Sequence, residues 1–115
     1  MRPPHGILVI GVRLIYTLPI TVPEELIAAL CRRNQIRKLS FFGSVLTPRF
    51  RPESDVDMLV EFEEDARPSL LTMARLEREL SELLGRKVDL RTAGDLSRYF
   101  RREVVSAAFP QYEQS

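Results

Sequence analysis

The residues of this chain best suited to chemistry are Asp55 and Asp57, one residue apart at the mouth of the apolar run Met58-Leu59-Val60. In a strand, residues i and i+2 point to the same face, so the two carboxylates would project together. Two adjacent carboxylates repel, and a bound cation or a proton relieves that repulsion. Oxygen-only ligands suit Mg²⁺, which retains waters and shares its shell with substrate phosphates. Ten residues upstream, Gly43-Ser44 closes the run Phe41-Phe42, and such a turn can offer backbone N–H groups and a hydroxyl to phosphate. A third acid, Asp89, lies in the short apolar segment Val88-Asp89-Leu90. If the three segments are neighbours in one sheet, the carboxylates converge on one edge, as a two-metal site requires. Taken together, these features point to metal-assisted phosphoryl or nucleotidyl transfer. Each piece alone has a plainer reading. The aspartates can be a polar strand entry, and Gly43-Ser44 a tight turn with a capping serine. Asp89 by itself is an ordinary exposed acid.

The elements that must position these residues follow from periodicity. Thr21-Val22-Pro23-Glu24 has capping-box spacing with an early proline, and Leu26, Ile27 and Leu30 recur at helical spacing up to Arg32, Arg33 and Asn34. Residues 36 to 42 read as a strand stopped by Gly43. Residues 44 to 54, with Pro48 and Pro52, read as a connection holding one helical turn. Residues 56 to 62 form a second strand whose weak alternation predicts a central position. Pro68-Ser69 starts a helix to Leu84 with Leu70, Met73, Leu76, Leu80, Leu83 and Leu84 along one face, capped by Gly85. Residues 87 to 90 form a third strand. Thr92 or Asp95 caps a last helix through Leu96, Phe100, Val104 and Ala108, ended by Pro110. The order predicts an α+β domain, a small mixed β-sheet with helices packed on it.

Bulk properties narrow the function classes. The 115 residues carry 17 basic and 16 acidic side chains, net +1, which argues against a general polyanion binder and leaves room for a small anionic ligand. One Cys and one His cannot build a four-ligand zinc site, and the lone Cys31 forms no internal disulfide, in keeping with the cytoplasm. Cys31, on the apolar side of the first helix, reads as a small core residue rather than a nucleophile. Arg98, Arg101 and Arg102 give the last helix a basic face, and Tyr112 is an aromatic available to a partner. Residues 1–20 are expected to form an N-terminal extra strand or a loose arm, with the domain proper at residues 21–115. The run from Gly6 to Ile20 is broken by Arg13 and Pro19, which suits neither a signal peptide nor a membrane span. A start assigned too early in the gene is the other reading of this stretch.

Phe42-Gly43-Ser44, ten residues, Asp55-Val56-Asp57-Met58-Leu59-Val60 and then Val88-Asp89-Leu90 resemble the pattern of the DNA polymerase beta superfamily of nucleotidyltransferases. Within it, the chain is similar to the minimal nucleotidyltransferases, the small partners of HEPN proteins in prokaryotic toxin–antitoxin pairs. The resemblance covers about residues 24 to 112 and leaves residues 1 to 20 outside. It implies that Gly43 and Ser44 hold the triphosphate of ATP, and that Asp55, Asp57 and Asp89 ligate two Mg²⁺ ions. Asp89 would also help to take the proton from the attacking hydroxyl. It further implies a cytoplasmic protein adenylyltransferase that moves AMP from ATP to a tyrosine of a HEPN toxin, in a hetero-oligomer and with no direct nucleic-acid contact. The rival from another class is a non-catalytic antitoxin that neutralises its partner by binding alone. Relatives often carry small and arginine residues after the Gly-Ser pair, whereas here Val45-Leu46-Thr47-Pro48 follow. Arg49 and Arg51 are then the nearest side chains for a γ-phosphate, or else solvated residues of a polar loop.

Overall fold

The structure, a computed structural model, describes residues 7–10 and 13–114. Strands β1 (Ile7–Ile10) and β2 (Arg13–Thr17) pair antiparallel as a sheet of their own. The stretch read as one extra strand is therefore two. The expectations for residues 1–6, 11 and 12 lie outside the described residues. The chain then enters the domain through Leu18 and Ile20, both buried.

Helix α1 (Glu24–Arg33) begins one turn after Thr21, with Pro23 in the capping position and no side-chain cap. The expected Thr21 capping box is thus not what starts it. Instead two glutamates in the first turn and two arginines in the last complement the helix dipole. Strand β3 (Ile36–Phe42) passes into a 3₁₀ turn, Gly43–Leu46, and a connection leads to strand β4 (Val56–Phe62). Helix α2 (Leu70–Leu84) is capped at its start by Ser69, whose hydroxyl accepts the Thr72 N–H, and at its end by Gly85 at φ +65°. Strand β5 (Val88–Arg91) follows.

The expected last helix is broken up. Thr92 and Asp95 close a short 3₁₀ turn, Ala93–Asp95, and helix α3 spans only Arg101–Ala107. Arg101 accounts for the break. Its guanidinium donates to the carbonyls of Ala93 at 2.7 Å and Leu96 at 3.1 Å, holding the turn as a turn. Beyond it lies strand β6 (Phe109–Glu113), absent from the sequence reading. It lies on the sheet edge, where a proline's missing N–H does little harm. Tyr112 is half-buried in this strand, in the ladder opposite Leu39.

These strands form one mixed sheet in the order β5-β4-β3-β6, with β4 inside it, antiparallel to β3 and parallel to β5. A parallel pair needs a crossover, and α2 supplies it. Burial alternates along β4: Val56, Met58 and Val60 point into the core with Ile27, Leu30, Leu76 and Leu80, while Asp57 and Leu59 point to the other face. Leu26, Leu70 and Leu71 are exposed at 58%, 89% and 82%, so the apolar faces of α1 and α2 begin later than their leucines suggest. Among the described residues, no helix is long and apolar enough to cross a membrane.

Candidate active site

Strand register brings the candidate residues together. Phe42, the last residue of β3, lies opposite Asp57, and Asp57 lies opposite Asp89 on β5. Directly paired residues share a face, so the two carboxylates sit side by side, away from the helix-covered core. Val88 and Leu90, the neighbours of Asp89, are buried in that core. They lock the alternation that turns Asp89 outward. The backbone of β5 is also held from α2: the Val88 N–H donates to Ser81 Oγ at 2.9 Å, and the Leu90 N–H to Glu77 Oε2 at 2.8 Å. Ser81 and Glu77 are one helical turn apart, so α2 clips the edge strand at two points spanning Asp89.

Gly43 completes the arrangement. It has φ +78°, the left-handed region that favours glycine, and a Cβ placed on it would lie 2.3 Å from Asp57 Oδ2. The Asp57 carboxylate therefore lies against the Gly43 backbone, in space that any other residue would claim. Ser44 follows in the 3₁₀ turn, which is tied by two bonds from Thr47 to the Ser44 carbonyl, one from the N–H and one from the hydroxyl, each 2.9 Å.

The electrostatics are those of crowded acids. Burial pushes the Asp57 carboxyl above the usual carboxylate range, Asp89 adds to the effect, and Asp55 adds less; the Arg91 guanidinium pulls the other way. Arg91 bonds Asp89 Oδ2 at 3.2 Å, and Asp89 in turn holds Arg91 more firmly protonated. Asp55, exposed ahead of β4, faces Lys87 Nζ at 3.9 Å. Sequence reasoning passed over Lys87 and Arg91. Their signal was available, because Arg91 lies two residues from Asp89 on the same face of β5 and Lys87 lies two residues before Asp89, just ahead of the strand.

The donor set fits a hard dication. All three acids offer oxygen, and the like-charge crowding at Asp57 is what such an ion relieves. Among the described residues, no three His, Cys, Asp or Glu side chains are gathered into a ready-made cage. Arg49 and Arg51 lie exposed on the connection between the 3₁₀ turn and β4. Their backbone N–H groups donate to Thr47 Oγ1 at 3.2 Å and Ser54 Oγ at 3.0 Å. Farther from the chemistry, Cys31 is buried in the core, which pushes its thiol up to about 12.

Comparison with known proteins agrees with this geometry. The sequence pattern of the nucleotidyltransferase domain family matches residues 23–109. MJ0435 of Methanocaldococcus jannaschii, provisionally named a protein adenylyltransferase, is 34% identical over 76 residues, 66% of this chain and 80% of that protein. The protein adenylyltransferase MntA of Thermococcus cleftensis is 47% identical over 58 residues, 50% of this chain and 57% of its own length. A solved structure of a tri-AMPylated Shewanella oneidensis HEPN toxin in complex with its MNT antitoxin shares the fold, with TM-score 0.57 at 22% identity over 79% of this chain and 70% of that one. With the family pattern spanning the 3₁₀ turn and all three aspartates, this chain belongs to the nucleotidyltransferase domain family.

Proposed function

We propose that this chain is a Mg²⁺-dependent protein adenylyltransferase that moves AMP from ATP to a tyrosine hydroxyl of a HEPN-type toxin, and so acts as that toxin's antitoxin in the cytoplasm. The observation that carries the reading is the contact between Asp57 and the Cβ-less face of Gly43, which sets a carboxylate directly beside the Gly43-Ser44 turn. Gly43 lets the Asp57 carboxylate lie against its backbone, and Gly43 and Ser44 would offer backbone N–H groups and a hydroxyl to the triphosphate. Asp55, Asp57 and Asp89 would hold two Mg²⁺ ions. Bound there, such ions would neutralise charge on the phosphoryl oxygens and lower the pKa of the acceptor hydroxyl. The acceptor oxygen attacks the α-phosphorus, the bond to the bridging oxygen breaks, and pyrophosphate leaves. Asp89, which Arg91 bonds at 3.2 Å, would take the hydroxyl proton. Arg49 and Arg51 are the cations nearest in sequence for the γ-phosphate. The names of the relatives, adenylyltransferase and MNT antitoxin, support the same acceptor class.

A second reading, neutralisation by binding alone, is favoured by one observation: the turn from Gly43 to Pro48 contains no basic side chain. One experiment separates the two. The chain is incubated with the product of its adjacent gene, Mg²⁺ and labelled ATP, beside the variant Asp57→Asn. Label on the partner with wild type and none with the variant is expected. Absence of label with both, while the complex still forms and the toxin stays inhibited, refutes the catalytic reading.

A further inference from the structure

We propose that Arg86, in the turn between α2 and β5, is a positioning residue for the nucleotide's phosphates, because its guanidinium clamps the connection that carries Arg49 and Arg51. This rests on the nucleotidyl-transfer reading and adds to it what aims the two cations. The connection's own bonds are local. The Phe50 N–H donates to the Thr47 carbonyl at 3.3 Å and the Ser54 N–H to the Arg51 carbonyl at 3.0 Å, closing two small turns. Arg86 joins them. Its Nη1 donates to the Pro52 carbonyl at 3.0 Å, and its guanidinium carbon lies 4.9 Å from the centre of the Phe50 ring. Phe50 and Pro52 are the two neighbours of Arg51, so one side chain fastens the backbone on both sides of it.

Arg86 is itself held. Its N–H donates to the Ser81 carbonyl at 3.2 Å, in the turn that Gly85 makes at the end of α2. The carbonyl of the next residue, Lys87, accepts the Val56 N–H at 2.8 Å and pins the far end of the connection. The pair of contacts explains why arginine stands at this position. A planar guanidinium stacks on an aromatic face and donates in its own plane at once, which a lysine ammonium does not. Phe50 packs against the core, but Arg49, Arg51, Pro52 and Glu53 are exposed. The clamp therefore buries little apolar surface, and what it sets is direction. Among the described residues, no carboxylate lies within ion-pair distance of Arg49, Arg51 or Arg86. Their charge stays available to an anion, and an arginine arm ordered in advance loses less freedom on binding one.

The test is calorimetric titration of the full chain with ATP in the presence of Mg²⁺. The proteins compared are wild type, Arg86→Ala, Arg86→Lys, Arg49→Ala combined with Arg51→Ala, and that pair with Arg86→Ala added. Arg86→Ala is expected to weaken ATP about tenfold, because the arm must then be ordered at binding, and the Arg49 and Arg51 pair to weaken it at least as much. Arg86→Lys, which keeps the charge, should stay about fivefold weaker than wild type. A residue that acts through Arg49 and Arg51 adds nothing once both are gone, so in that background Arg86→Ala should change the affinity by less than about twofold. A tenfold loss that persists there would make Arg86 a direct phosphate contact and overturn the positioning role. Wild-type affinity in Arg86→Lys would assign the effect to charge alone. Wild-type affinity in Arg86→Ala, with only a lower Tm, would leave the clamp a feature of stability. Either result overturns the proposal while the nucleotide still binds. No binding of ATP by the wild type overturns the nucleotidyl-transfer reading itself.

Discussion

Two glycines with left-handed backbones allow the close approach at the site to be separated from ordinary backbone strain. Gly43 has φ +78° and Gly85 has φ +65°, so alanine at either costs about 1–2 kcal/mol of conformational strain. For a domain of this size each kcal/mol lowers Tm by roughly 4 °C or more. Both variants should therefore melt lower by similar amounts. Their surroundings differ. At Gly85 a Cβ meets nothing within 4 Å, whereas at Gly43 it meets Asp57 Oδ2 at 2.3 Å. Ordinary contact begins near 3.4 Å, so the carboxylate must retreat by 3.4 − 2.3 = 1.1 Å or rotate away. A displacement of about 1 Å at a reacting centre costs about 100-fold in rate. Transfer of labelled AMP to the partner, measured well below both melting temperatures, should fall about 100-fold in Gly43→Ala and stay near wild type in Gly85→Ala. Equal losses in both would attribute the effect to stability. Full activity in Gly43→Ala would refute the claim that the Asp57 position against Gly43 matters to the chemistry.

Three further outcomes follow from the same geometry. Glu77→Ala leaves the Leu90 N–H without its charged acceptor, which should cost about 1.5–3 kcal/mol in denaturant unfolding; Glu77→Gln, which keeps an acceptor, should recover most of it. Asp57→Asn should stabilise the metal-free protein at pH 7 by less than about 1 kcal/mol, since the half-buried carboxyl is screened by solvent. The sign follows from its raised pKa: the ionised form is disfavoured in the fold, so the wild type gains as pH falls through that pKa. The gap between the two proteins should close near pH 4, where the unfolded-state carboxyl titrates, and added Mg²⁺ should reverse it; a gap that widens on acidification would contradict the shift. Cys31, buried and pushed up to about 12, should resist a soluble thiol reagent at pH 8 until guanidinium unfolds the chain. Rapid labelling of the native protein would contradict its burial.

The shared face of Asp57 and Asp89 was legible in part because it depends on strand alternation, which is local. Asp57 and Asp89 share faces with their i±2 neighbours in β4 and β5 whatever the rest of the fold does, and the boundaries of β3 and β4 coincide with apolar runs. What the sequence does not encode locally is register. Nothing in residues 36–62 alone states that Phe42 pairs with Asp57, yet that pairing sets the carboxylate against Gly43. The last third misled for a different reason. Leu96, Phe100, Val104 and Ala108 have helical spacing, but Phe100 is 61% exposed and Arg101 spends its guanidinium on turn carbonyls, so periodicity there reports no buried face. Pro110 reads as a helix stop and is also tolerated on an edge strand, and only the presence of β3 as a neighbour decides between them. That misreading hid a surface feature as well, since α3 and β6 supply the far wall of a cleft beside Gly43. One continuous helix through Ala108 would have left Phe109 unpaired with Phe41 and the cleft without its fixed wall. The architecture around Gly43 is thus a product of two non-local pairings, β3 with β4 and β3 with β6, and β3 is the element on which both depend.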